Sequence, residues 1–169
     1  MTTGKDFQGK CRGLSEAAGV AFWILVVGIA VEILWQGIGR RMFGEGGGDF
    51  RATLQAVGVE CVEALPGIFI ACALWNLAAV FERMGKGVVM DAANARDLSR
   101  GGGNVIGAAV AALAVTPSVL GWIQDRPGGV RFDFEWVSVA LLLLGLALTL
   151  FANVLRDAAA LRAELDEIV

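Results

Sequence analysis

Three carboxylates stand where their type and spacing could do chemistry. Glu32 lies inside an apolar run, and Glu60 and Glu63 lie at the mouth of another, three residues apart. A spacing of three places the last two on one helix face. An ionisable group within hydrocarbon is costly and by default marks function, here a proton or cation site in the outer half of the molecule. The blander reading is an ion-pair and hydrogen-bond network with Arg40 and Arg41 near the membrane surface. The blander reading is favoured, because Glu32 is about two turns from the water boundary. Glu32 is therefore expected to be structural, paired with Arg40, Arg41 or a polar group of the second apolar run. Elsewhere Arg96 and Arg100, four residues apart, share a helix face and suit either anionic headgroups or a protein partner. Asn76 and Asn153 fall within apolar runs, where side-chain amides most often bond between helices.

Other chemistry is poorly provided for. The chain has no His and no Tyr, so imidazole serves neither as base nor as metal or haem ligand. Cys11, Cys61 and Cys72 form no CxxC pair. Cys61 and Cys72 would be roughly 16 Å apart along one helix, beyond disulfide reach. There is no GxxxxGK[ST] phosphate loop and no GxSxG elbow, and Gly101-Gly102-Gly103 lacks the strand and lysine a phosphate cradle needs. The net charge of −3 gives no basic excess for nucleic acid. No enzyme, cofactor or metal is expected, and no direct nucleic-acid binding.

The elements that position these groups follow from hydropathy. Hydrophobic residues make up 56 % of the 169 and charged residues 18 %, against about 45–50 % and about 25 % in soluble domains. Four apolar runs, 17–39, 62–81, 105–123 and 136–155, are long enough or nearly so to cross about 30 Å of hydrocarbon. Each must be helical, since lipid offers backbone groups no other partner. The expected fold is an all-α integral membrane four-transmembrane-helix bundle, one domain over 1–169, with a tail helix over 156–169. The first run is too long for a secretory signal and has no small-x-small cleavage site after it.

Nine of the fourteen Lys and Arg residues fall in the N-terminal segment, the middle loop and the tail, and five in the other two loops. Both termini are therefore expected in the cytoplasm. Trp35, Trp122 and Trp136 then mark the outer interface. Residues 49–63 have helical spacing and lead into the second run. Asp91 is an N-cap for a short cytoplasmic helix over 91–100, with the three glycines loosening the chain before the third run. Residues 130–136 alternate aromatic or apolar with charged, which fits a short extended segment or an aromatic interfacial anchor equally well. Pro66 reads as a first-turn residue or mild kink. Pro117 reads as a break at a different depth. Gly103, Gly107 and Ala111 form one small-residue face, and Gly145, Thr149 and Asn153 another.

Two stretches carry a resemblance. FERMGKGVVMDAANARDLSRGGGNVIGAA has a Gly and an apolar pair, Gly87, Val88 and Val89, before a small helix bearing Asn94, Arg96, Leu98 and Arg100. FANVLRDAAALRAELDEIV closes on Leu161, Glu164, Asp166 and Val169. The chain thereby resembles the bacterial four-span membrane family of unknown function 2975, departing from it at Val89, where Phe is usual. The resemblance implies a bacterial inner-membrane protein and a weak link to small helix-turn-helix regulators. The expected role is non-enzymatic, regulatory or accessory, acting through helix contacts. The alternatives are a structural or assembly subunit, and a small transporter or proton-linked sensor. The expected partners are the lipid bilayer and a membrane-protein complex or cytoplasmic regulator.

Overall fold

The computed structural model describes residues 3–39, 50–89, 91–124 and 128–168. Its elements are α1 (Thr3–Glu32), which runs on as a π-helical stretch, Ile33–Gly39; α2 (Phe50–Glu63); α3 (Leu65–Gly85); α4 (Ala92–Val110), continued by a π-helical stretch, Ala111–Val115, and by α5 (Thr116–Ile123); and α6 (Trp136–Ile168). No strand occurs among the described residues. Four helical stretches, Phe7–Gln36, Leu65–Gly85, Ala92–Ile123 and Trp136–Arg162, are long and apolar enough to cross a membrane. They overlap the four expected runs, beginning earlier in the first and third and ending later in the second and fourth. Lys10 and Arg12 already belong to the first helix, and the tail continues the fourth without a break.

The spans pack in chain order. α1 lies on α3, α3 on α4, and α4 on α6, whereas α1 and α6 are not packed on each other among the described residues. The bundle is thus open on one side, and none of the apolar stretch of α1 is buried within the chain. Gln8 and Arg12 of α1 approach Gly87 and Gly85 at the end of α3, and Arg156 of α6 approaches Arg96 and Arg100 of α4. The first turns of α1 and the last part of α6 therefore share one end of the molecule. α2 caps the other end, touching the π-helical stretch after α1 and also α5, where Gln55 Nε2 donates to the Ile123 carbonyl at 2.7 Å.

The three glycines do not loosen the third span. They lie inside α4, because they are where the fourth span comes closest. A Cβ on Gly102 would meet Gly145 O at 2.9 Å and Thr149 Oγ1 at 2.6 Å, and a Cβ on Gly145 would meet Gly102 O at 2.9 Å. Only glycine permits that backbone contact, the usual basis of close packing between helices in lipid. The contact face of the third span thus uses Gly102. Gly103 is exposed, with nothing within 4 Å of a Cβ, while Gly107 packs on Phe69.

The turn between α3 and α4 is built from its sequence. Gly87 has φ +87°, a conformation open to glycine. Its N–H bonds Met84 O and the Val88 N–H bonds Arg83 O, both at 3.0 Å, which closes α3 as a Schellman motif. Asp91 caps α4 by accepting the Ala93 N–H at 3.1 Å, as its sequence predicts. Asn94 is almost fully buried and ties the turn together: Nδ2 donates to Val88 O at 2.7 Å and Val89 O at 3.2 Å, and Oδ1 accepts from Arg83 at 3.0 Å. The other Arg83 nitrogen pairs with Asp97.

Both prolines open a carbonyl four residues back, since Pro has no N–H to give it. Val62 O, freed by Pro66, accepts the Thr116 hydroxyl at 3.3 Å. Leu113 O, freed by Pro117, accepts the Asp133 N–H at 2.9 Å. The Thr116 contact puts the two breaks at one level, which corrects the expectation of different depths. Residues 128–135 form no strand. Instead Ser118 Oγ accepts the Arg131 N–H at 3.0 Å and donates to Arg131 O at 3.1 Å. The Phe132 and Phe134 rings stack in the open, 6.2 Å apart, in keeping with the aromatic-anchor alternative.

Candidate functional site: an acidic cleft at the proline break

Glu32, Glu60 and Glu63 come together. They line a cleft of about 290 Å³ with Leu25, Ile29, Ile33, Ala64 and Gly67. α1 presents Glu32 near its end, where the helix passes into its π-helical stretch. α2 presents Glu60 and Glu63 one turn apart, and Ala64 carries the helical bonding into α3, with its N–H on Glu60 O at 2.9 Å. Gly67 belongs to the cleft because α1 passes close by: a Cβ there would meet Ile29 Cδ1 at 3.0 Å.

The electrostatics follow from three like charges around one cleft, of which Glu60 is partly covered while Glu32 and Glu63 are exposed. Glu60 is half-buried and its carboxyl is held above the ordinary 4.5, first by loss of water and then by Glu63 and Glu32. Glu32 accepts from Gln36 Nε2 at 3.5 Å, a partner on its own helix rather than on the second span. Arg40 and Arg41, its expected partners, lie outside the described residues. Such a cleft can hold a proton between carboxylates or attract a cation. Among the described residues no group of three or more His, Cys, Asp or Glu is placed to hold a metal ion.

The remaining sequence candidates lie elsewhere. Among the described residues the Asn76 side chain makes no hydrogen bond across helices. Its Nδ2 donates to Cys72 O, one turn back, at 2.8 Å, and its Cβ packs where Gly101 leaves room. Asn153 is exposed on α6, with no side-chain hydrogen bond among the described residues. Arg96 and Arg100 do share a cleft, and Arg156 joins them. Cys11 is buried and Cys61 and Cys72 are exposed, all three as free thiols.

Sequence reading missed the clamp of Arg83, Asn94 and Asp97. A signal was present: Asn94 and Asp97 sit one turn apart on a stretch whose other members include buried Ala95, Gly101 and Gly102. It also missed Trp23 and Trp75. Both indoles are about 60 % exposed and both lie near the middle of their helices. Phe22 joins them, with ring centroids 5.4 Å from Trp23 and 5.2 Å from Trp75.

Fold and site together define a multi-pass helical membrane protein with one acidic and one basic cleft at opposite ends. No family model, curated protein or solved structure matches the chain.

Proposed function

We propose that the chain is a non-enzymatic accessory or regulatory protein of a bacterial inner membrane, with both termini cytoplasmic, acting through contact with a helix of another membrane protein. The observation that carries this reading is the mid-span aromatic group. Indoles gain most at the membrane interfaces, where Trp35, Trp122 and Trp136 fall. Trp23 and Trp75 face outwards near the middle of their helices instead, a place better suited to an apolar helix surface than to lipid tails. The open packing order supports the same reading, since α1 has only α3 as a full-length neighbour.

A photo-cross-linking residue at position 23 or 75, set against position 151 on the fourth span, tests this. Positions 23 and 75 should give one discrete adduct with a single heterologous membrane protein, and position 151 only lipid adducts. Lipid adducts alone at all three positions, or adducts only with a second copy of the chain, would refute the accessory role.

A second reading has its own observation. Glu32 faces the acidic cleft beside two proline-broken helices that meet at one level, and paired helix breaks are where transporters place ion sites. Glu32→Gln keeps the shape and removes the charge. A structural Glu32 predicts that Gln preserves amount and stability while Leu lowers both modestly. A proton-linked role predicts that Gln and Leu abolish the cellular phenotype alike, with protein amount unchanged.

A further inference from the structure

The end of the molecule opposite the acidic cleft carries a cleft of about 380 Å³ lined by Ala92, Arg96, Ser99, Arg100 and Arg156. Three exposed arginines line it from two helices. The carboxylate of Asp97, next to Arg96 in sequence, pairs with Arg83, which Asn94 also holds. Arg100 keeps a 3.6 Å contact with Asp97. The side chains of Arg96 and Arg156 have no hydrogen bond or ion pair among the described residues. Asp157 follows Arg156 along α6 and so projects about 100° round the helix, and it is not in the cleft wall. Asp91 is engaged in capping the Ala93 N–H.

The depth of this cleft is set by the fourth span. Residues 136–155 carry no charge, which makes about 30 Å of helix at 1.5 Å per residue, the thickness of the hydrocarbon layer. Arg156 is the first charge beyond that layer, so the three arginines stand at the level of lipid phosphates. Guanidinium forks match phosphate oxygens in pairs of hydrogen bonds. Basic pockets between spanning helices at this level are suited to anionic headgroups.

We propose that Arg96, Arg100 and Arg156 form a binding site for a phosphate group, presented at this depth by the headgroup of an anionic lipid. The site would fix the third and fourth spans to each other through a lipid held between them.

The full chain in mild detergent, titrated with phosphatidylglycerol or phosphatidylcholine and read by native mass spectrometry, tests the proposal. One phosphatidylglycerol should be retained in preference to phosphatidylcholine. Arg156→Gln should weaken retention about fivefold, the usual share of one arginine near anionic lipid. Ala92→Glu is the second variant. A carboxylate in the first turn favours the helix, so the protein should stay folded while the cleft loses its lipid. Arg162→Gln, on the same helix outside the cleft, should change retention less than twofold. Millimolar inorganic phosphate separates the two sources of the group. Failure to displace the lipid identifies the headgroup as occupant, and displacement identifies free phosphate held by the same arginines. Equal retention by the unaltered chain, Arg156→Gln and Ala92→Glu, or an equal loss in Arg162→Gln, would overturn the site.

Discussion

Alanine at position 102 should damage the protein, and alanine at the next position should help it. A Cβ on Gly102 would stand 2.6 Å from Thr149 Oγ1, 2.9 Å from Gly145 O and 3.0 Å from Thr149 N, where real Cβ contacts rarely come below 3.4 Å. Two of these three neighbours are helix backbone and cannot rotate away. The third and fourth spans must then part by about half an ångström along their crossing, and close-packed interiors transmit such shifts. Overpacking of this kind costs about 1–3 kcal/mol. Alanine's better helix propensity returns up to about 1 kcal/mol. At Gly103 a Cβ meets nothing within 4 Å, so only the propensity gain remains, roughly 0.5–1 kcal/mol. The two variants should therefore differ by about 1–3 kcal/mol. Reversible unfolding in mixed micelles, with SDS as denaturant and helix content as readout, measures both. If Gly102→Ala proves as stable as Gly103→Ala, the backbone contact between Gly102 and Gly145 is not what holds these spans.

Asn94→Ala should lower the unfolding midpoint in the same assay, because Val88 O, Val89 O and Arg83 all lose a partner at about 1–3 kcal/mol for each group left buried and unpaired. An unchanged midpoint would remove Asn94 from the clamp. Glu60 gives a pH dependence. Burial first, then Glu63 and Glu32, raise its folded-state pKa above 4.5, so the folded chain holds that proton more firmly than the unfolded one. Its contribution is complete below about 4.5 and is lost as pH rises through the folded value. Glu60→Gln should flatten this fall in the unfolding midpoint, and parallel profiles for the two proteins would contradict it. In a variant without native cysteines, an impermeant thiol reagent added outside spheroplasts should label a cysteine at position 128 and spare one at 163. The reverse pattern would invert the orientation.

Much of the fold is legible in the sequence because lipid removes alternatives. An apolar stretch that crosses hydrocarbon must be helical, and the four runs read from hydropathy are the four long helices. Asp91 and the continuity of α6 are also local, written in a cap and in a charge pattern. Partners are less local. Gly101-Gly102-Gly103 reads as loose because glycine is weak in an isolated helix. Its use depends on Gly145, more than forty residues away. The acidic site was half legible. The i,i+3 spacing of Glu60 and Glu63 fixes their shared face, and the position of Glu32 flags it. That all three meet at one cleft depends on how α2 lies across the end of α1. Arg156 could not be joined to Arg96 and Arg100 from sequence, since nothing local says that the third and fourth spans pack with those ends level.

The prolines connect these points. Pro66 and Pro117 each take one hydrogen bond out of a helix, and the sequence shows both losses. What it does not show is where the freed carbonyls turn. Val62 O finds Thr116, and Leu113 O finds Asp133, so each break is answered by a different segment. The first bond ties α2, at the entry to the second span, to the third span. The other ties the third to the chain that leads into the fourth. Ser118 and Arg131 add two more bonds at that level. Three segments are thus linked by polar contacts at the end of the molecule where Glu32, Glu60 and Glu63 gather, while at the other end the Arg83, Asn94 and Asp97 clamp joins the second and third spans. The first span takes part in neither set. It meets the rest through the packing of α1 on α3, which includes the Phe22–Trp75 ring contact and the approach of Gln8 and Arg12 to Gly87 and Gly85, through the Ser15 hydroxyl on Ala78 O at 3.1 Å, and through the contact of its π-helical stretch with α2. It carries both Glu32 and Trp23, so a change in charge in the cleft and a change of partner at mid-span would act on the same helix.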